Sequence, residues 1–215
     1  MAGTVSALQI QKRNKERVNV FVDGVYTFAV TVNVALGLRK GQYLSDADIE
    51  RLVAGDERDK AYQQAIHFLG FRPRSQAEVA QRLHEKGYSA GAIEHTIHRL
   101  LEQNYLNDQE FARYWLENRE QFKPRGERAL RYELSQKGID PQAIEAVLSD
   151  LDEATSAWAA VQKKVRQWQH LPEDQLKKKV MGFLSRRGFG YSVVDQIWQK
   201  MQSEQSDSEQ EADWE

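Results

Sequence analysis

Cysteine is absent from the 215-residue chain. Its absence excludes a disulfide framework, a thiolate metal site and a thiol nucleophile, and it suits a reducing cytosol. The N-terminus lacks the charged-then-apolar pattern of a secretory signal. No Walker motif and no nucleophile elbow occur, and the acids are spread without evident pairing, so no general acid/base site is offered. Long apolar runs are absent too, with one exception. Residues 18–38, VNVFVDGVYTFAVTVNVALGL, carry a single charge, Asp23, over 21 positions, which is long enough to span a bilayer. A hairpin accounts for them better. Asp23-Gly24 is a turn signal, and Val18, Val20 and Val22 alternate with period two, as do Tyr26, Phe28 and Val30. No membrane association is expected.

What is present is charge, unevenly placed. The chain is 40% apolar and 29% charged, a polar balance that fits an elongated or repetitive architecture with much surface. The net charge of −2 hides an asymmetry: residues 204–215, EQSDSEQEADWE, hold six acids and no base. Residues 1–203 therefore carry +4, and within them 152–203 have nine bases against five acids. The chain reads as a mildly basic body with an acidic, disordered tail.

Residues 1–56 read as an antiparallel β meander, SALQIQ, RVNVFV and VYTFAV, followed by a short helix starting near 46 behind a Ser45–Asp48 capping box. From 57 onward the pattern is helical and repeats. Gly87, Gly138 and Gly188 stand fifty-one and fifty residues apart. Each follows a base (Lys86, Lys137, Arg187) and precedes an apolar residue (Tyr88, Ile139, Phe189). Leu83, Leu134 and Leu184 lie four positions before, and Val79, Leu130 and Val180 eight before. Ile93, Ile144 and Val194 lie six after, and Ile97, Leu148 and Trp198 ten after. The spacing gives each helix one apolar stripe, with the glycine at a left-handed helix end and the base facing the negative end of the dipole. Adding the helices around AIHFLGF and EFARYWLENR makes three per unit. The expected fold is mainly α: three-helix repeats at 57–106, 107–151 and 152–203, stacked in an elongated, curved array, with a small N-terminal β unit and a tail at 204–215.

One phrase is written twice, FRPRS at 71–75 and FKPRG at 122–126. Its proline suits a turn or a first helical turn, and Ser75 is a good N-cap with Glu78 as capping-box partner; Gly126 is a weaker cap. These corners place bases on successive repeats, a ledge for a polyanion or an acidic partner. The third corner, HLPED, holds Glu173 and Asp174 instead, with Asp174 as the expected cap. Its positive charge moves into the helix as LKKKV at 176–180 and SRR at 185–187. Arg72, Arg74, Lys123 and Arg125 are expected to be dispensable for folding and free for contact, with Arg128 and Arg131 beside them and Lys177, Lys178, Arg186 and Arg187 in the third repeat.

LGFRPRSQAEVAQRLHEKGY, LLEQNYLNDQEFARYWLENR and KPRGERALRYELSQKGI, with the motif YLNDxxFA at 105–112, resemble the RecX family of regulators of the RecA recombinase. The resemblance is strong over about 60–150 and follows by repeat register over 152–200; the β unit resembles an extension of some members. It implies three tandem three-helix repeats and a non-enzymatic, cytoplasmic protein that binds RecA–DNA filaments in their groove. It further implies inhibition of recombinase and coprotease functions in recombination, DNA repair and the SOS response, promotion of filament disassembly, and some DNA affinity. The expected partners are the RecA filament and, weakly and salt-dependently, single- and double-stranded DNA. A monomer without cofactor or metal is expected.

Other features are explained more simply. His95, His98 and Glu102 share one helix face but lack a fourth ligand, so a solvated face is expected rather than zinc. GFG at 188–190 lacks the lysine of a phosphate loop. Tyr114, Trp115, Trp158, Trp168 and Trp198 sit at helical spacing and are expected in cores, Tyr105-Leu106 as a staple, and Asn107 or Asp108 as the cap behind it. Two alternatives to a RecA regulator are a general nucleic-acid-binding helical module and an adaptor that reads helical peptides.

Overall fold

The computed structural model describes residues 2–168 and 170–204, and the backbone alone for 205–212. The chain divides into two compact units. The first comprises Met1–Arg72 and Val79–Leu106, the second Pro73–Glu78 and Asn107–Glu215.

In the first unit, period-two alternation becomes an antiparallel sheet. Strands β1 (Gly3–Ile10), β2 (Arg17–Val22) and β3 (Val25–Thr31) form the expected meander. A fourth strand, β4 (Tyr43–Leu44), pairs with Gly3 and Thr4, giving the order β3-β2-β1-β4. It was not anticipated because two residues carry no periodicity. Asp23 and Gly24 both take positive φ, 48° and 84°, as a two-residue turn matched to strand twist requires. Val5, Val18, Val20, Phe28, Val30 and Leu44 bury the inner face.

A single helical turn, α1 (Val32–Ala35), leads to α2 (Asp46–Leu69). The Ser45–Asp48 capping box is present, but the helix is long rather than short: 24 residues, running through the expected boundary at 56/57. Arg17 donates through both terminal nitrogens to Asp56, at 2.9 Å each, and to the Ala29 carbonyl at 2.7 Å. Asp56 is buried and also pairs with Lys60 at 2.7 Å. This network fixes the sheet to α2.

The helices that follow are α3 (Gln76–Glu85), α4 (Ala90–Glu102), α5 (Asp108–Phe122), α6 (Glu127–Gln136), α7 (Pro141–Leu148), α8 (Glu153–Val165), α9 (Glu173–Arg186) and α10 (Tyr191–Ala212). The repeat alignment maps onto burial. Val79, Leu83, Leu130, Leu134, Val180 and Leu184 are fully enclosed, and Gly87, Gly138 and Gly188 all take positive φ at helix ends. The last columns hold in the second unit, where Ile144, Leu148, Val194 and Trp198 are buried. In α4 they shift: Ala92, Thr96 and Leu100 are buried, while Ile93 and Ile97 are only half-buried. Packing on α2 has turned α4 by one residue, about 100°.

Three local expectations are corrected or completed. Pro172, not Asp174, is the N-cap of α9, and no side chain caps that helix. Asn107 caps α5, while Leu106 is buried and Tyr105 exposed. Of the acidic stretch 204–215, the backbone continues as α10 to Ala212, and 213–215 lie outside the described residues. Trp198 is buried, and Trp115, Trp158 and Trp168 pack against helical cores. Among the described residues no helix is long and apolar enough to cross a membrane.

Candidate functional site

Within the second unit each small-residue corner sits on a base-glycine turn found about one repeat further along the chain. Ser75 caps α3, and its Oγ also donates to the Lys137 carbonyl at 2.7 Å. Lys137 Nζ donates to Glu78 at 2.6 Å, and a Cβ on Gly138 would stand 2.5 Å from that of Ala77. Asp108 accepts the Gln76 backbone N–H at 2.9 Å, so it caps α3 while its neighbour Asn107 caps α5. The second corner repeats the design. Gly126 N–H donates to the Arg187 carbonyl at 3.0 Å, and Glu153, the residue after the α8 cap, accepts the Glu127 N–H at 2.9 Å. A Cβ on Gly188 would stand 2.4 Å from that of Ala129. The small fifth residue of the phrase is thus a packing requirement.

The two junctions differ in charge. Glu78 neutralises Lys137 at the first. The position fifty-one residues after Glu78 is Ala129, and among the described residues no acid is paired with Arg187 at the second. Arg187 Nη1 donates instead to the Pro124 carbonyl at 3.1 Å, and its guanidinium lies over the Phe183 ring at 4.5 Å. Burial, with the Arg125 charge, pushes its pKa below the usual arginine value. Arg128 Nη2 donates to the Ser185 carbonyl at 3.3 Å, which brings the start of α6 to the end of α9, where Arg186 is exposed.

The expected bases therefore separate into groups. Lys123, Arg128 and Arg186 are exposed around the second corner. Arg125 is not free: its Nε lies 3.6 Å from Glu133, a carboxylate that also holds Arg119 at 2.7 Å and the Trp115 indole at 2.9 Å. Arg187 serves the junction, and Arg131 is paired with Glu127 and Glu145. Arg72 and Arg74 are half-buried and engaged with neighbours. Lys177 and Lys178 are exposed but lie eight or nine residues before Arg186, about 12–14 Å along α9. His98 Nδ1 lies 3.4 Å from Glu102, and no group of three or more His, Asp or Glu is placed to hold a metal among the described residues. Asp108 was expected only as a possible cap of its own helix, and its capping of α3, like that of α6 by Glu153, was missed by sequence reasoning; the acid following each helix cap, in Asn107-Asp108 and Asp152-Glu153, is the signal that marks them.

The chain is similar to known proteins over most of its length. The chain matches the models of the first, second and third three-helix domains of RecX at residues 61–100, 107–148 and 152–198, and of the regulatory protein RecX N-terminal domain at 3–45. The chain belongs to the RecX family. It is 35% identical to the regulatory protein RecX of Bacillus subtilis (strain 168), over 97% of this chain and 81% of that protein. It is 30% identical to that of Clostridium botulinum, over 90% of this chain and 93% of that protein. A crystal structure of a regulatory protein RecX superposes with a TM-score of 0.70 at 27% identity, covering 92% of this chain and 98% of the other. The RecX from Lactobacillus salivarius, at 23% identity and a TM-score of 0.61, shares the fold over 69% of this chain and 98% of its own. In this chain the YLND motif supplies two caps, Asn107 to α5 and Asp108 to α3.

Proposed function

We propose that this protein regulates the RecA recombinase by binding RecA–DNA filaments, chiefly lowering their activity, with no chemistry of its own. RecX membership supports the regulatory role. The observation that carries the contact assignment is the second corner, where Lys123, Arg128 and Arg186 are exposed beside a junction that lacks its acid. Those bases meet DNA phosphates or acidic side chains of the filament. Binding to bare single- or double-stranded DNA is weak and salt-dependent, and the protein acts as a cytoplasmic monomer.

The test is RecA-driven ATP hydrolysis and strand exchange on single-stranded DNA. Wild-type protein inhibits at substoichiometric amounts. The triple variant Lys123→Glu, Arg128→Glu, Arg186→Glu needs at least about tenfold more protein for the same inhibition, the cost of a few lost charged contacts. Its thermal unfolding falls only slightly, since all three side chains are exposed and only the Arg128 hydrogen bond to the Ser185 carbonyl is lost. Absence of inhibition by the wild type at several-fold excess over RecA overturns the reading.

A further inference from the structure

The three base-glycine turns are closed by the same hydrogen bonds. The Lys86, Gly87 and Tyr88 N–H groups donate to the carbonyls of Leu83, His84 and Leu83 at 3.1, 2.9 and 3.2 Å. The corresponding bonds are 3.0, 2.9 and 3.2 Å around Gly138, and 2.9, 3.0 and 3.3 Å around Gly188. Two of the turns carry a helix start: Ser75 and Ala77 lie on the Gly138 turn, Gly126 and Ala129 on the Gly188 turn. The first turn carries none. Nothing stands within 4 Å of a Cβ built on Gly87. Among the described residues no hydrogen bond reaches the Lys86 carbonyl, the counterpart of the carbonyls that accept from Ser75 Oγ and the Gly126 N–H. Lys86 is exposed where Lys137 and Arg187 are half-buried, and Tyr88 is half-buried where Ile139 and Phe189 are buried. The turn is nevertheless held in shape, because Glu57 accepts the Ser89 N–H and hydroxyl at 2.8 Å each. Beside it, Ala80 and His84 of α3 and Ile93, Ile97 and Leu101 of α4 line a shallow apolar groove of about 710 Å³.

The covered turns show what fits such a surface. Each takes a small cap residue, Ser75 or Gly126, and an alanine against the glycine. At the first joint the acid three residues after the cap, Glu78, pairs with the base of the turn, Lys137, at 2.6 Å. The chain has no further start of this kind to offer. Ser75 and Gly126 stand twelve residues before Gly87 and Gly138, but twelve before Gly188 stands Leu176, which is buried. A second copy therefore brings no matching counterpart. We propose that the Lys86-Gly87-Tyr88 turn is a docking site for a helix of a protein partner, one capped by Ser or Gly and carrying an acid three residues later. The cap donates to the Lys86 carbonyl, the acid pairs with Lys86, and the small first turn rests on Gly87. Apolar side chains flanking that start cover Ile93, Ile97 and Leu101. The turn is formed before the partner arrives, so little ordering opposes binding. The site uses none of the bases assigned to the filament and stands independently of the regulatory reading.

The probe is a synthetic peptide of residues 73–86, PRSQAEVAQRLHEK, the helix start that lies on the Gly138 turn in the folded chain. It is titrated into isotope-labelled full-length protein, and the backbone amide NMR signals are followed. The Gly138 and Gly188 turns are already filled by tethered segments at an effective concentration on the order of millimolar, so the peptide meets the first turn. Saturable shifts are expected at Gly87, Tyr88, Ile93 and Ile97. The dissociation constant is on the order of a millimolar, since a short isolated helix is only marginally formed. Glu78→Lys in the peptide, or Lys86→Glu in the protein, weakens binding about fivefold or more, and the two together restore it. Ser75→Leu in the peptide abolishes it. Lys86 is exposed, so its variant keeps the wild-type thermal unfolding. No shifts at several millimolar peptide, shifts confined to Gly138 or Gly188, or undiminished binding to the Lys86→Glu protein each overturn the proposal. So do Gly87 shifts that grow with protein concentration in the absence of peptide, because the occupant is then a second copy.

Discussion

Asp56 shows how single residues hold this chain together. Burial by itself raises its pKa, but hydrogen bonds from Arg17 and Lys60, with their charges, outweigh burial and hold the carboxyl below its ordinary value. A depressed carboxylate contributes stability that is fully present above its unfolded pKa, about 3.9, and is lost as pH falls through the folded one. Arg17→Ala leaves that carboxylate buried beside Lys60 alone and is expected to cost about 3–5 kcal/mol at neutral pH. The cost shrinks in acid, below about pH 4, where the carboxylate protonates in the variant. Denaturant melts at the two pH values check this; an equal cost at both excludes the ion pair as the cause. The pair was invisible in the sequence because Arg17 and Asp56 are thirty-nine residues apart and neither lies in a motif. Asp108 is the opposite case: burial raises its pKa, and the Gln76 hydrogen bonds only partly offset that.

At the scale of elements, the joints decide more than the helices. A Cβ on Gly126 would come within 2.3 Å of the Phe189 nitrogen and 2.4 Å of the Gly188 carbonyl, and backbone atoms cannot step aside. Gly126→Ala is therefore expected to cost about 2 kcal/mol or more by overpacking. Gly55, in the middle of α2, has nothing within 4 Å of its would-be Cβ, and Gly55→Ala is expected to gain about 0.5–1 kcal/mol. Opposite signs from the same substitution, read by thermal unfolding, test whether the corner is a joint. The sequence showed that the fifth residue of the phrase is small; it did not show why, because the neighbour that forbids a side chain comes sixty-two residues later. The same limit applied to α2 and α4. Their helical character was legible, but the length of one and the buried face of the other depend on packing partners.

For the whole molecule the relevant quantity is charge. The chain carries −2, yet residues 1–203 carry +4. Removing residues 204–215 is expected to tighten binding to a DNA oligonucleotide at low salt, through a more favourable long-range field. The gain should vanish near 1 M salt, where screening acts over about 3 Å. A titration at two salt concentrations reads the difference; a gain that survives high salt points instead to a direct competing contact.

The sequence by itself determined the class of the fold, the hairpin, the three helical repeats and, outside α4, their register, because periodicity and glycine spacing are local and additive along a chain. It also placed every base now assigned to the site. Only the tertiary structure decided which of those bases are available. Arg125, Arg131 and Arg187 find partners in space that sequence order does not reveal, Arg128 lends one nitrogen to the Ser185 carbonyl yet stays exposed, and Lys123 and Arg186 are exposed. Charge is written residue by residue; whether it is spent on the fold or left for a partner is settled by which carboxylates and carbonyls the packing brings within reach.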